Sequence, residues 1–422
     1  MKSVTALPFV LVLACLSALP ANAEDLLSDD GFDDAEFDDA TFEETAFTNE
    51  DTDALLEQSP YQIWTAYGLI YDPKSTPKPA NHYADFHLEA ETTLGLSGFA
   101  DVDLIASKDW LTGELDTQIY STTLQLSTEQ GAIKLGRYLN SWGEVEGAGV
   151  LDVVNPVPGL TDVNRGFKPQ WLVGYNHYMA DREVSIFANV QPDVSAMSGI
   201  VVSEETPREW GLRYKVTGSG SDWAVYMGQF LQNAPTVGLS GVDLTVKAFE
   251  YDLLGFSFNQ AQGDDLFKLD VAWKQGLGQQ VGTSLTKVDR LDVALGAEIN
   301  DGDRQWNLSL TGNYLPNHNS NYQTVTFNPA TMQVALLATG QLASSYGIGV
   351  SDSFASDEYS WNVNLVGALN GNMTGLISEL AWHYSDDLIW RFTAAAMVAD
   401  LDSLYALADG TQRLGLQVEY HF

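Results

Sequence analysis

The chain has a single cysteine in 422 residues, Cys15. It lies in an N-terminal stretch with Lys2, an apolar run from Ala6 to Leu19, and Ala21-Asn22-Ala23, the form of a secretory signal cleaved before Glu24. Val12-Leu13-Ala14-Cys15 fits a lipoprotein site less well, because Leu13 is a poor match and Ala23 already accounts for the segment. With the signal removed, no thiol remains, which excludes disulfides and thiol chemistry. An exported chain without disulfides must draw its stability from another source, such as a closed sheet in a bilayer. Bases are also scarce: 20 Lys+Arg stand against 57 Asp+Glu, a net charge of -37. Nucleic acid is thereby excluded as a partner, since phosphate backbones demand cations. After the signal no apolar run approaches the ~18 residues of a membrane-spanning helix. Catalytic motifs are missing as well. His82, His87, His177, His318, His383 and His421 are scattered, and no H-E-x-x-H, G-x-S-x-G or Cys/His metal spacing occurs. The expectation is a chain with no enzyme activity, no cofactor and no metal site. Gly-Ser-Gly-Ser at 218–221 reads as a turn.

Residues 24–58 form a separate segment, an acidic leader without bases. Phe32, Phe37, Phe42 and Phe47 recur every five residues in it, a period that fits neither helix nor strand. Its composition is that of a disordered arm. The functional expectation is a tether whose aromatics dock on a periplasmic partner, or whose carboxylates collect divalent cations.

From about Tyr61 the pattern becomes period-two alternation. In RQWNLSLTGNYL, Trp306, Leu308, Leu310 and Tyr314 share one face, and Gln305, Asn307, Ser309 and Asn313 the other. YSWNVNLVGALN, TGLISELAWHYS, LIWRFTAAAMVAD and FKLDVAWKQ repeat the arrangement. Such runs match the ~9–11 residues that a tilted strand needs to cross a bilayer. Aromatics fall near the ends of the greasy face, as an interfacial girdle requires. The fold class is therefore all-β: a transmembrane antiparallel β-barrel spanning 59–422, of 16 or 18 strands because bacterial single-chain barrels are even-numbered. Separate strands are expected at 243–252, 253–261, 283–289 and 291–300. The stretches 140–169, 315–358 and 399–411 are expected to be loops, the first two long enough to fold into or over the barrel. LGLQVEYHF, residues 414–422, reads as the last strand, which closes the ring on the first. Its alternation ending on Tyr420 and Phe422 resembles the recognition signal of outer-membrane barrels, which implies the barrel-assembly machinery as a partner.

Residues 132–165 read AIKLGRYLNSWGEVEGAGVLDVVNPVPGLTDVNR. Leu135-Gly136-Arg137, Trp142-Gly143-Glu144 and Asp152-Val153-Val154-Asn155-Pro156, in that order, resemble a family of poorly characterised proteobacterial outer-membrane porin-like proteins, distantly like alginate-export-type barrels. Tyr138 stands where that family commonly has Gln. The resemblance covers about 35 residues and implies a channel-like barrel in the bacterial outer membrane, with no particular solute. By its own composition the segment is a strand ending near Tyr138, then a loop stiffened by Pro156 and Pro158 and turned at Gly143, Gly147 and Gly149. Folded inward, it would narrow the lumen and set a field with Arg137, Trp142, Glu144, Glu146, Asp152, Asn155, Asp162 and Arg165. Otherwise it is a surface loop anchored by Trp142.

In HYADFHLEAETT, Phe86, Leu88 and Ala90 oppose Asp85, His87, Glu89 and Glu91. Further on, Ala100, Val102 and Leu104 oppose Asp101 and Asp103. If the polar face is the lumen, this sector is acidic, with Arg213, Lys215, Lys268, Lys274 and Arg391 as the inward bases. Counter-ions gather in a pore of one sign, so passive diffusion of small solutes or hydrophobic nutrients, preferably cationic or neutral, is the expected function. The alternative is a plugged surface or assembly protein with the leader as its arm. Acids on external loops would meet outer-membrane lipid and lipopolysaccharide through divalent cations.

Overall fold

The computed structural model describes residues 61–72, 81–95, 97–145, 148–156, 167–192, 209–240, 243–328, 333–369, 373–400 and 409–422. The signal segment and the leader at 24–58 lie outside them. The strands are β1 (Tyr61–Tyr71), β2 (Asn81–Thr93), β3 (Gly98–Asp109), β4 (Leu115–Thr128), β5 (Gly131–Tyr138), β6 (Gln170–Met179), β7 (Arg182–Gln191), β8 (Glu209–Thr217), β9 (Ser221–Leu231), β10 (Thr236–Ser240) and β11 (Asp243–Lys247). They continue as β12 (Glu250–Gln262), β13 (Asp265–Val281), β14 (Ser284–Asp301), β15 (Arg304–Tyr314), β16 (Tyr322–Asn328), β17 (Gln333–Ala338), β18 (Leu342–Phe354), β19 (Tyr359–Ala368), β20 (Met373–Ser385), β21 (Leu388–Ala399) and β22 (Thr411–His421).

Hydrogen bonding runs antiparallel from β1 to β9, steps to β12, continues through β15, steps to β18 and ends at β22, which returns to β1. The result is a closed barrel of 18 strands. Two hairpins, β10–β11 and β16–β17, stand outside the ring. The second touches the end of β13 through Gln280↔Gln323 and Val281↔Tyr322. Closure aligns Trp64 with His421 and Leu69 with Leu416, and the Phe422 amide donates to the Ile63 carbonyl at 2.9 Å. The ring therefore has no open edge, the condition for a sheet in hydrocarbon.

Side-chain parity divides the wall. On β22, Leu414, Leu416 and Tyr420 are exposed on the outside, while Gln417, Glu419 and His421 point inward. Exposed aromatics ring the outer face at both ends, among them Tyr61, Trp223, Trp306 and Tyr420 at one and Tyr71, Trp171, Trp210 and Tyr314 at the other. A greasy band between aromatic girdles is the surface that lipid covers. The ends differ in their connections. At the end where the described chain starts and stops, turns such as 129–130, 180–181, 263–264 and 302–303 are two residues long. At the other end lie the long connections 139–169, 192–208, 232–249 and 315–341. Short turns face the periplasm in outer-membrane barrels and long loops face outward.

The expected boundaries need correction in three places. The stretch 315–358 is not a loop, since it holds the β16–β17 hairpin and a full wall strand, β18. The runs 283–289 and 291–300 are one strand, β14, which extends with β13 beyond the neighbouring wall. The run 243–252 is split, because β11 leaves the wall to pair with β10 and the wall resumes at Glu250.

Candidate functional site

The long connection after β5 turns into the barrel. Its neck is closed where the Asn140 amide donates to Asn155 Oδ1 at 3.3 Å, the chain topology of an Ω-loop. Between these residues the described chain lies against the inner faces of β6 to β14. Trp142 is 4% exposed and Leu151 0%. The Trp142 ring meets Phe187 at 5.2 Å and 70°, Tyr226 at 5.2 Å, and Phe230 at 5.7 Å and 83°. Two wall glycines make the seat. A Cβ on Gly211 would collide with the Trp142 ring, and one on Gly255 with Leu151. Burying an apolar side chain of this kind stabilises by about 1.5–3 kcal/mol. With Trp142, Val145, Leu151 and Val154 all buried, the loop is held as core rather than left to flap.

Polar anchors fix its depth. The carboxylate of Asp270, at mid-wall on β13, accepts the Glu144 amide at 3.0 Å and the Val145 amide at 3.0 Å. Glu144 in turn accepts from Asn259 Nδ2 at 2.6 Å. Asn259 lies three residues from the short turn that follows β12, so the loop reaches most of the way through the barrel. Higher up, Asn233 Nδ2 donates to the carbonyls of Val153 at 3.0 Å and Asn155 at 3.1 Å.

On this half of the wall the inward bases are matched by acids. Arg213 pairs with Glu183 at 2.7 Å and Lys215 with Asp222 at 3.7 Å. Lys274 and Arg290 share Asp292 at 2.9 and 2.6 Å, and Lys268 pairs with Glu298. Buried ions need such partners. The local charge is compensated, and the loop's packing sets the character of this side.

The opposite side differs. The inward face of β2 and β3 presents Asp85, Glu89, Glu91, Asp101 and Asp103, with Glu89 directly opposite Asp103 and Glu91 opposite Asp101. Like charges so placed repel, which favours water and counter-ions between them. Ser107 donates its hydroxyl to Asp85, and His87 stacks on Trp64 at 3.4 Å and 13°. Across the closing seam Arg391 lies between Glu379 at 3.1 Å and Glu419 at 3.4 Å, and His421 approaches Glu419 at 2.6 Å. Around the ring, β2 and β13 are nine strands apart in either direction. The acidic sector thus faces the loop's anchor across the lumen.

Its backbone matches solved bacterial porins. OccAB4 of Acinetobacter baumannii superposes with a TM-score of 0.53 at 10% identity, over 87% of this chain and 99% of that one. The BenF-like porin of Pseudomonas fluorescens gives 0.54 at 9%, over 86% and 98%. OpdK of Pseudomonas aeruginosa, solved with vanillate, gives 0.55 at 8%, over 86% and 98%. At such identities the likeness is one of fold. The chain matches no protein-family model and no curated protein.

The structure places the expected site residues as follows. Trp142, Glu144, Asp152 and Asn155 lie on the inserted loop. Asp85, His87, Glu89, Glu91, Asp101, Asp103 and Arg391 stand on the inward face. Arg137 does not join the loop residues. It pairs with Trp171 on the outer face, because β5 sends Tyr138, not Arg137, into the lumen core. Glu146, Asp162 and Arg165 lie outside the described residues. Tyr420 and Phe422 meet edge-to-face at 4.9 Å, Tyr420 in the girdle of the short-turn end. Sequence reasoning missed Asp270, Asn259 and Asn233 as loop anchors. Asp270 carried a partial signal, an acid at mid-strand on the polar face of FKLDVAWKQ, but its partner is more than a hundred residues away.

Proposed function

We propose that the chain is an outer-membrane channel for passive diffusion of small cationic or neutral solutes. The observation that carries this reading is the opposition of an apolar, wall-anchored loop and an acidic sector across one lumen. The loop narrows the path, and the carboxylates of β2 and β3 raise the local concentration of cations beside it. A carboxylate such as the vanillate named with OpdK would meet repulsion at this sector, so that solute is not carried over. The likeness of the loop segment to alginate-export-type barrels, confined to those residues, is compatible with the same reading. Outer-membrane lipid would surround the wall, and the barrel-assembly machinery would read Tyr420 and Phe422. The leader at 24–58 would meet a periplasmic partner.

The test is single-channel recording of the refolded protein in planar bilayers under a salt gradient. Stepwise conductance with a reversal potential of cation-selective sign is expected. Anion selectivity would overturn the solute preference. Complete absence of steps would favour the second reading, a plugged surface or assembly protein, which the depth and burial of the loop also support.

A further inference from the structure

Lys108 stands on the lipid side of the wall in a chain poor in bases. On β3 it alternates in step with Leu104 and Trp110, both exposed, and its cross-strand neighbour on β4 is Leu115, 67% exposed. It lies one residue from the end of its strand, at the long-loop end. The connection that follows, 110–114, is only five residues long. Its backbone is set by the Trp110 amide donating to the His82 carbonyl at 2.8 Å and the Gly113 amide to the Asp109 carbonyl at 2.9 Å. The Trp110 ring stands 6.1 Å from that of His82, and His82 Nε2 is hydrogen-bonded to the Tyr67 hydroxyl. Tyr67, His82 and Trp110 thus form an aromatic row beside the lysine. The Lys108 ammonium folds up to the turn and donates to the Gly113 carbonyl.

A lysine on the lipid face of a barrel is costly at mid-bilayer and nearly free at the interface. By reaching the turn beyond its strand, Lys108 keeps its stem along the apolar face and its charge at the headgroup level. The anionic group available there is phosphate. An ammonium has three N–H donors, of which the Gly113 carbonyl takes one without neutralising the charge. The nearest acid in sequence is occupied elsewhere, since the Asp109 carboxylate accepts the Leu111 and Thr112 amides at 2.6 and 3.2 Å. Among the described residues no carboxylate comes within ion-pair distance of the Lys108 ammonium. We propose that this patch docks a phosphorylated sugar headgroup of the outer-leaflet glycolipid. The phosphate lies on Lys108, and Trp110 and Leu115 meet the first carbons of the acyl chains. The proposal rests on the outer-membrane placement above, with the long loops facing outward, but not on conduction.

Native mass spectrometry of the detergent-purified barrel with diphosphoryl lipid A tests it. Wild type is expected to retain the lipid, with about tenfold weaker retention for Lys108→Gln, the loss of one charge-assisted contact. Arg182→Gln, which removes an exposed base at the short-turn end, should bind as wild type. Lipid A stripped of phosphate should bind wild type as weakly as diphosphoryl lipid A binds Lys108→Gln. If Lys108→Gln fails to fold, Leu115→Glu keeps the lysine and sets a carboxylate directly across from it. That variant should lose the lipid equally, and its neutral counterpart Leu115→Gln should lose less. Undiminished retention by Lys108→Gln or by Leu115→Glu overturns the proposal, as does an equal loss in Arg182→Gln or Leu115→Gln. Inorganic phosphate that competes at the same concentration as the lipid would mark a soluble-anion site and reject the glycolipid. Lipid retention is read whether or not the barrel conducts, so failure here and failure of the channel reading are distinguishable.

Discussion

Val145 gives its amide hydrogen to the carboxylate of Asp270 at 3.0 Å, across 125 residues of sequence. With the neighbouring bond from Glu144, this ties the deepest described part of the loop to the middle of a wall strand. Asp270→Ala leaves those amides without acceptors, at a cost of about 1–3 kcal/mol for each buried group. The loop should loosen while the ring stays closed. Single-channel records are expected to show larger and noisier steps, with the unheated gel mobility of a folded barrel retained.

Gly211→Val tests the seat of Trp142. The added side chain occupies the place of the indole ring, and overpacking of this kind costs about 1–3 kcal/mol. Thermal unfolding should shift down, and conductance should rise as in Asp270→Ala. Trp142→Ala should act in the same direction with a larger stability loss, about 3–5 kcal/mol.

Neutralising the acidic sector should change selectivity more than pore size. Glu89→Gln with Asp103→Asn removes a facing pair of carboxylates. Reversal potentials in a salt gradient should move toward zero, while conductance in concentrated salt should hardly alter. In wild type the preference should also fade with salt, because the screening length drops from ~10 Å at 0.1 M to ~3 Å at 1 M.

The seam gives a fourth expectation. Removing Phe422 deletes the last aromatic and its amide bond to Ile63. The fraction of chain recovered as folded barrel in outer membranes should fall, as read by heat-modifiable gel mobility. Refolding of the purified chain in detergent should be much less affected, because the β22–β1 pairs from Trp64↔His421 to Tyr71↔Leu414 remain.

Much of the wall was legible because its two solvents differ so sharply. Tyr359–Ala368 and Arg304–Tyr314 alternate large apolar and polar residues, and their limits follow from the pattern alone. β18 escaped because LASSYGIGVSDSF puts Ser345, Gly347, Gly349 and Ser351 inward, and such small side chains give little contrast between faces. β11 misled because its alternation serves a hairpin outside the ring. The acidic face of β2 and β3 was plain from parity. Parity also contained the answer for Arg137, which falls in step with Ile133 and Leu135. The motif around it drew attention to the loop instead. The anchors of that loop join residues far apart in sequence, and no local pattern announces them.

Because the described part of the loop is fastened along one arc of the wall, from β6 to β14, any bore beside it is off-centre, with the loop on one side and the acidic strands on the other. Its short axis would be set by how far the loop projects from β12–β14 toward β2 and β3, its long axis by the curvature of the wall. Flat or slender molecules aligned with the barrel axis would pass such an opening more readily than round ones of equal mass. Permeant size measured with spherical polymers would therefore understate what the channel admits.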